Sequence, residues 1–97
     1  MTDPEFHHEA RAEFREAALF YERQVAGLGF AFNAEVERAV RLIVDNPGLG
    51  SPAWQHYRQV LVRRFPYSVI YRERDNNPVN VAVAHQHRRP GYWRKRK

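Results

Sequence analysis

The sequence predicts an α+β fold in the order β-α-α-β-β-β, with a helical hairpin packed on an antiparallel sheet. Two observations carry most of that reading. The first half of the chain repeats apolar residues at three- and four-residue steps, the period of a helix face. The second half holds short runs rich in Val, Ile and Tyr, separated by Pro, Asn and Asp turn signals, the pattern of consecutive strands.

Element by element, Glu5-Phe6-His7 reads as a short edge strand beside Pro4, since proline is tolerated at sheet edges. From Glu9 to Val25 the residues Ala10, Phe14, Ala17, Ala18, Tyr21 and Val25 form one stripe, and Glu13, Arg15, Glu16, Glu22 and Arg23 fall mostly outside it. Gly27-Leu28-Gly29 interrupts the pattern with the backbone freedom of a tight turn. A second stripe then runs through Phe32, Val36, Ala39, Val40 and Ile43, and Asn46-Pro47-Gly48 ends it. Two helices joined so closely form an antiparallel hairpin with one shared apolar face, which a sheet must cover. Gly48 to Trp54 reads as a loop. Strands follow at Arg58 to Phe65, Tyr67 to Glu73 and Val79 to His85, divided by Pro66 and by Asp75-Asn76-Asn77-Pro78, and such short connections make an antiparallel meander.

The chain has 97 residues, enough for one hydrophobic core and so for one domain spanning 1–97. Cysteine is absent, which excludes disulfides, zinc-thiolate sites and cysteine nucleophiles and fits a reducing, cytoplasmic setting. No apolar run reaches the roughly 20 residues needed to span a bilayer, and Met1-Thr2-Asp3-Pro4-Glu5 lacks the regions of a signal peptide. Charge is placed unevenly. Residues 1–50 hold five arginines against nine carboxylates, a net of −4, whereas residues 51–97 hold eleven Lys/Arg against Glu73 and Asp75, a net of +9. Fourteen of the sixteen cations are arginine, the side chain suited to bidentate contact with phosphate or carboxylate. The basic half therefore faces a partner of opposite sign. The closing Arg94-Lys95-Arg96-Lys97 run is expected to fray as a basic tail, because consecutive like charges repel.

The segment from His85 to Trp93 gathers the groups that handle phosphate chemistry. His85 and His87 are able to move protons near neutral pH, Arg88 and Arg89 to neutralise a phosphate, and Tyr92 and Trp93 to stack on bases. The same two aromatics also suit a core-capping role, with Pro90-Gly91 making the turn. His85 and His87 without carboxylate neighbours make a poor metal site, so no metal or other cofactor is expected. A second basic set, Arg58, Arg63, Arg64, Arg72 and Arg74, lies on the two strands joined at Pro66. Strand alternation puts Arg58 and Arg64 on one face and Arg63 on the other, so some of these residues face solvent or pair with helix carboxylates such as Glu35 and Glu37. His7, His8 and His56 lie near element ends, where surface or capping roles are expected.

Taken in order, Tyr21-Glu22, Gly27-Leu28-Gly29-x-x-Phe32, Asn46-Pro47, Gly50-Ser51-Pro52, Arg63-Arg64-Phe65-Pro66-Tyr67-Ser68-Val69-Ile70-Tyr71-Arg72, Val83-Ala84-His85 and Arg88-Arg89-Pro90-Gly91-Tyr92-Trp93 give a chain that resembles toxins of the RelE/ParE superfamily, the plasmid stabilisation proteins of type II toxin-antitoxin systems. The resemblance covers nearly the whole chain and implies the same β-α-α-β-β-β order and a cognate antitoxin that wraps and silences the toxin. It implies one of two activities: cleavage of messenger RNA, usually in the ribosome, or poisoning of DNA gyrase without nuclease chemistry. In a nuclease, His85 or His87 would be the base, Arg88 or Arg89 the charge stabiliser and Tyr92 an orienting group. The ribosome-dependent nucleases carry a cation early in the middle meander strand, where this chain has Ser68, and lysines on the preceding strand, where it has Arg63 and Arg64. The ParE-like, non-nuclease branch is therefore favoured, with Arg58, Arg63, Arg64, Arg72, Arg89 and Trp93 as residues for target or antitoxin contact; a plain nucleic-acid-binding module, with salt-sensitive binding and no toxicity, is the third reading. Antitoxin carboxylates are expected on Arg58, Arg64, Arg72 and Arg88, with its apolar side chains over the helical or sheet groove.

Overall fold

The computed structural model describes residues 4–96. Its elements are β1 (Glu5–Phe6), α1 (His8–Gln24), α2 (Leu28–Asp45), β2 (Ser51–Trp54), β3 (Tyr57–Leu61), β4 (Tyr67–Arg74) and β5 (Asn77–His85). The five strands form one sheet in the order β1-β5-β4-β3-β2. β1 runs parallel to β5, and the other pairs are antiparallel. The expected elements are all present, and β2 is one more strand than the sequence reading contains.

α1 starts where His7 turns its Nδ1 to accept the Glu9 backbone N–H at 3.1 Å, which satisfies one of the unpaired amides at a helix start. Burial, then the neighbouring His8, holds the His7 imidazole below its ordinary pKa, in keeping with a nitrogen that accepts. The turn into α2 relies on two glycines. Gly27 adopts φ 89°, a left-handed conformation that favours glycine, and a Cβ at Gly29 would press into the Ala18 carbonyl oxygen and the Glu22 side chain. Glu22 closes the turn by accepting from the Gly27 and Gly29 N–H groups at 2.8 and 2.9 Å. These bonds, the one from Gly27 foremost, lower its carboxyl pKa.

The predicted stripe of α2 is buried in full: Phe32, Val36, Ala39, Val40 and Ile43 all lie in the core. In α1, Ala10 and Ala17 are buried, whereas Val25 beyond the last turn is exposed. Phe32 anchors the layer, with its ring set edge-on to Phe65 and Tyr67 at centroid distances of 5.1 Å. Beneath it, Val60, Val69, Tyr71 and Val83 supply the helix-facing side of the sheet.

Three expectations need correction. The Gly48–Trp54 loop contains β2, which pairs Ser51 with Gln59 and Pro52 with Arg58. Pro52 is compatible because β2 is an edge strand, and Gln55 (φ 49°) makes the reversal without glycine. The strand expected to reach Phe65 stops at Leu61, because Arg64 takes φ 71° and swings Phe65 into the core. Strand alternation therefore does not apply to Arg63 and Arg64. The C-terminal run is folded and not frayed among its described residues: Trp93 is 5 % exposed, Arg94 lies over the Trp54 ring at 4.7 Å, and the Arg96 side chain is 9 % exposed. Lys97 lies outside the described residues. This segment covers the other side of the sheet, where Trp93 joins Tyr57, Ile70, Val79, Val81, Ala82 and Ala84 in a second core.

Candidate functional site

The helix-free sheet face and the C-terminal segment enclose a groove of ≈ 310 Å³, with Leu61, Ser68, Ala84, Arg88, Arg89 and Tyr92 among its lining residues. The register explains its floor. Gln59 pairs with Ile70 and Leu61 with Ser68, and Ser68 pairs with Ala84, so these alternate residues point away from the helices. Ser68 is 6 % exposed and Leu61 is 64 % exposed, which leaves one buried hydroxyl and one open apolar rim on the floor.

The wall is fixed by Glu13 of α1. Its carboxylate accepts from the Val83 backbone N–H at 3.0 Å, the Tyr92 hydroxyl at 2.6 Å, and Arg96 Nη1 and Nη2 at 2.8 and 2.9 Å. Arg88 approaches the same carboxylate at 3.4 Å and lies over the Tyr92 ring at 3.9 Å. Arg96 further donates to the Val81 carbonyl oxygen at 3.0 Å and pairs with Glu9 at 3.0 Å. Burial, then the hydrogen bond to Glu13, drives the Tyr92 phenol pKa far above its usual value. The hydroxyl is thus fixed as a donor to Glu13.

The structure brings His85, Arg88, Arg89, Tyr92 and Trp93 to one groove and scatters the rest. His85 pairs in register with Tyr67 and sets its ring edge-on to that phenol at 5.1 Å. Its Nδ1 accepts the His87 backbone N–H at 3.0 Å, so Nε2 is its remaining nitrogen. His87 and Arg89 are exposed. Arg58 donates to the Gly50 carbonyl oxygen at 2.8 Å, Arg64 stacks over Phe65 at 5.8 Å, and Arg63 is exposed in the same turn. Arg72 is half-buried on β4, and Arg74 pairs with Glu5. Trp93, expected as a contact residue, has its ring in the second core against Tyr57 at 5.0 Å. Burial leaves it little surface for stacking in the groove it lines. Glu9 and Glu13 of α1 bind Arg96, and Glu13 also meets Arg88; the expected pairing of the strand arginines with Glu35 or Glu37 is not among the ion pairs of the described residues, Glu37 accepting from Asn33 and one Glu35 oxygen being buried without a hydrogen-bond partner.

A second concavity lies on the opposite side of the molecule, between the outer surfaces of α1 and α2. It measures ≈ 590 Å³ and is lined by Phe14, Ala18, Leu19 and Phe30, with Arg11 and Glu22 at its border. Phe30 is 80 % exposed and Leu19 50 % exposed. The signal was present in the sequence, since Leu19 and Phe30 are apolar residues outside the two core stripes.

The sequence profile described as "ParE toxin of type II toxin-antitoxin system, parDE" matches residues 5–90. The chain belongs to this ParE toxin family. Membership makes it the toxin component of a type II toxin-antitoxin system, a class that works with an antitoxin partner. No curated protein matches the chain. The family match ends at residue 90, so Tyr92 and Arg96, which bind Glu13, and Trp93, which lines the groove, lie beyond the matched part of this ParE-family toxin. Among the described residues no helix is long and apolar enough to cross a membrane.

Proposed function

We propose that this ParE-family toxin arrests growth by acting on DNA gyrase and replication as a binding protein, without nuclease chemistry, and that its antitoxin silences it by covering the cleft between the two helices. The observation that carries the first part is the engagement of the groove's acid-base groups. Ribose-directed RNA cleavage needs a base on the 2′-hydroxyl, an acid at the leaving oxygen and free cations on the phosphate. Here the Tyr92 hydroxyl is bonded to Glu13, Arg88 lies against the same carboxylate, and His85 Nδ1 takes a backbone amide. Ser68 supplies no cation at the centre of the floor. The surface left for a target is Leu61 with Arg89 and His87, an apolar patch beside charge, which suits recognition of a protein surface.

The antitoxin reading rests on the interhelical cleft. A large, nearly fully exposed phenylalanine beside Leu19 is an apolar patch that an amphipathic segment would cover. The earlier expectation of antitoxin carboxylates on Arg58 and Arg88 is weaker, because both arginines already have partners within the chain.

Induction of the chain in a bacterial host, with RNA integrity and the DNA damage response followed in one culture, tests the target. Growth arrest with intact messages, an induced damage response and trapped gyrase-DNA cleavage complexes is the expected result. Rapid message cleavage that disappears in the His85→Ala/Arg88→Ala variant would overturn it in favour of an mRNA interferase acting on the ribosome.

A further inference from the structure

We propose that the helix-free face carries a phosphate-binding hollow beside the groove, which takes the phosphodiester backbone of a nucleic acid. The hollow measures ≈ 510 Å³ and is lined by His56, Tyr57, Arg72, Arg94, Lys95 and Arg96. The inference goes beyond the gyrase reading and stands without it.

The hollow has no carboxylate in its lining. Three arginines of the fold are ion-paired: Arg74 with Glu5, Arg88 with Glu13, and Arg96, at the edge of the hollow, with Glu9 and Glu13. Arg72, Arg94 and Lys95 form no ion pair among the described residues. Folding thus concentrates three uncompensated charges in one place, which raises the electrostatic energy until an anion relieves it. Two of the three are held in position. Arg72 projects from β4 opposite Val79, and the Arg94 guanidinium is seated over the Trp54 ring at 4.7 Å. Such preorganisation lowers the ordering cost of binding.

The chemistry favours phosphate over an acidic peptide. The one apolar ring in the lining, Tyr57, is 6 % exposed, so a peptide side chain would find no open pocket. Guanidinium forks match phosphate oxygens, and the His56 ring, 4.7 Å from Tyr57 between centroids, stands at the border. The apolar cleft suited to a protein partner lies on the other side of the sheet.

Fluorescence anisotropy of the full chain with a labelled duplex DNA of about 20 base pairs, and with a single-stranded RNA of similar length, tests the proposal across salt. Three phosphate contacts at about −0.9 each in log-log slope give about a 40-fold loss of duplex affinity between about 50 and about 200 mM salt, with a shallower slope for the single strand. Arg72→Ala/Lys95→Ala is expected to weaken binding at least about 10-fold at low salt and to reduce the slope by about two. Lys95→Ala, at an exposed position, keeps the test valid if the double variant melts early, and it should reduce the slope by about one. Arg23→Ala/Arg38→Ala, at exposed positions of the helical hairpin, removes equal charge elsewhere and should leave most of the affinity. Whichever nucleic acid responds in this way identifies the source of the phosphate. Equal loss in the Arg23/Arg38 control, unchanged binding in the Arg72/Lys95 variants, or no binding to either nucleic acid would overturn the site.

Discussion

Glu13 occupies a position that no other residue duplicates among the described ones. β1 covers β5 only at Val79 and Asn80, so beyond that pairing the β5 edge presents the Val81 carbonyl and the Val83 N–H. Arg96 donates to the first and Glu13 accepts from the second, and the two side chains bond to each other. An ion pair thus finishes the edge that a longer β1 would have covered, and it also protects against strand addition from another chain. Because the Glu13 and Arg96 side chains are only 13 % and 9 % exposed, removing one leaves the other nearly buried without its counter-charge. Breaking a buried pair costs about 3–5 kcal/mol, and the residual exposure here places Glu13→Ala near the lower end. A loss of about 3 kcal/mol lowers Tm by roughly 15 °C in a domain of this size. Arg96→Ala should cost a similar amount, and the double variant much less than the sum, with a coupling of at least about 1 kcal/mol. Additive losses in thermal melts of the four proteins would mean that the two residues act separately. None of this was legible in the sequence. The partners are 83 residues apart, and Arg96 sits in a run of like charge whose local pattern argues for solvent.

At the level of elements, the α1–α2 turn shows what a sequence pattern does and does not reveal. The two stripes, the break at Gly27-Leu28-Gly29 and the meander were readable because each follows from a local period or a local turn signal. β2 was not readable, since Pro52 and Gly50 resemble a loop and only pairing with β3 makes the segment a strand. Nor was the role of Glu22, which lies outside the α1 stripe and looks like a solvent-facing charge. It instead caps α2, where a negative group also opposes the helix dipole. Its folded pKa is lowered, so the ionised form is the one the fold prefers. The contribution is therefore full above the ordinary carboxylate value of 4.5 and is lost as pH falls below it through the lowered folded value. NMR should register this as a titration of the Gly27 and Gly29 amide shifts with a midpoint under 4.5. Glu22→Gln should abolish that titration and flatten the acid side of the stability profile of the hairpin. A midpoint at or above the ordinary value would show that the two amide bonds do not favour the charged form.

Across the whole molecule, the sheet separates two surfaces with different chemistry. On one side the hairpin offers an apolar cleft with Phe30 and Leu19 open to solvent; on the other the C-terminal segment offers a groove and a hollow rich in arginine. If the antitoxin covers the first and the target meets the second, neutralisation and toxicity separate genetically. Phe30 is the residue that decides this, because at 80 % exposure its replacement leaves the core untouched and folding stability within about 0.5 kcal/mol. Exposed aromatics that become buried on association often contribute 2 kcal/mol or more, and inserting a charge into an apolar contact adds a desolvation cost. Phe30→Glu is therefore expected to weaken the antitoxin complex by at least about 30-fold, keep growth arrest on induction, and escape rescue when the antitoxin is co-expressed at matched levels. Arg89→Glu, on the opposite surface, should do the reverse, reducing arrest with antitoxin affinity unchanged. Calorimetric titration of both variants with the antitoxin, beside growth curves, distinguishes the arrangements. If Phe30→Glu binds the antitoxin as tightly as the parent chain while Arg89→Glu loses it, the antitoxin occupies the basic face, and neutralisation works by direct competition with the target.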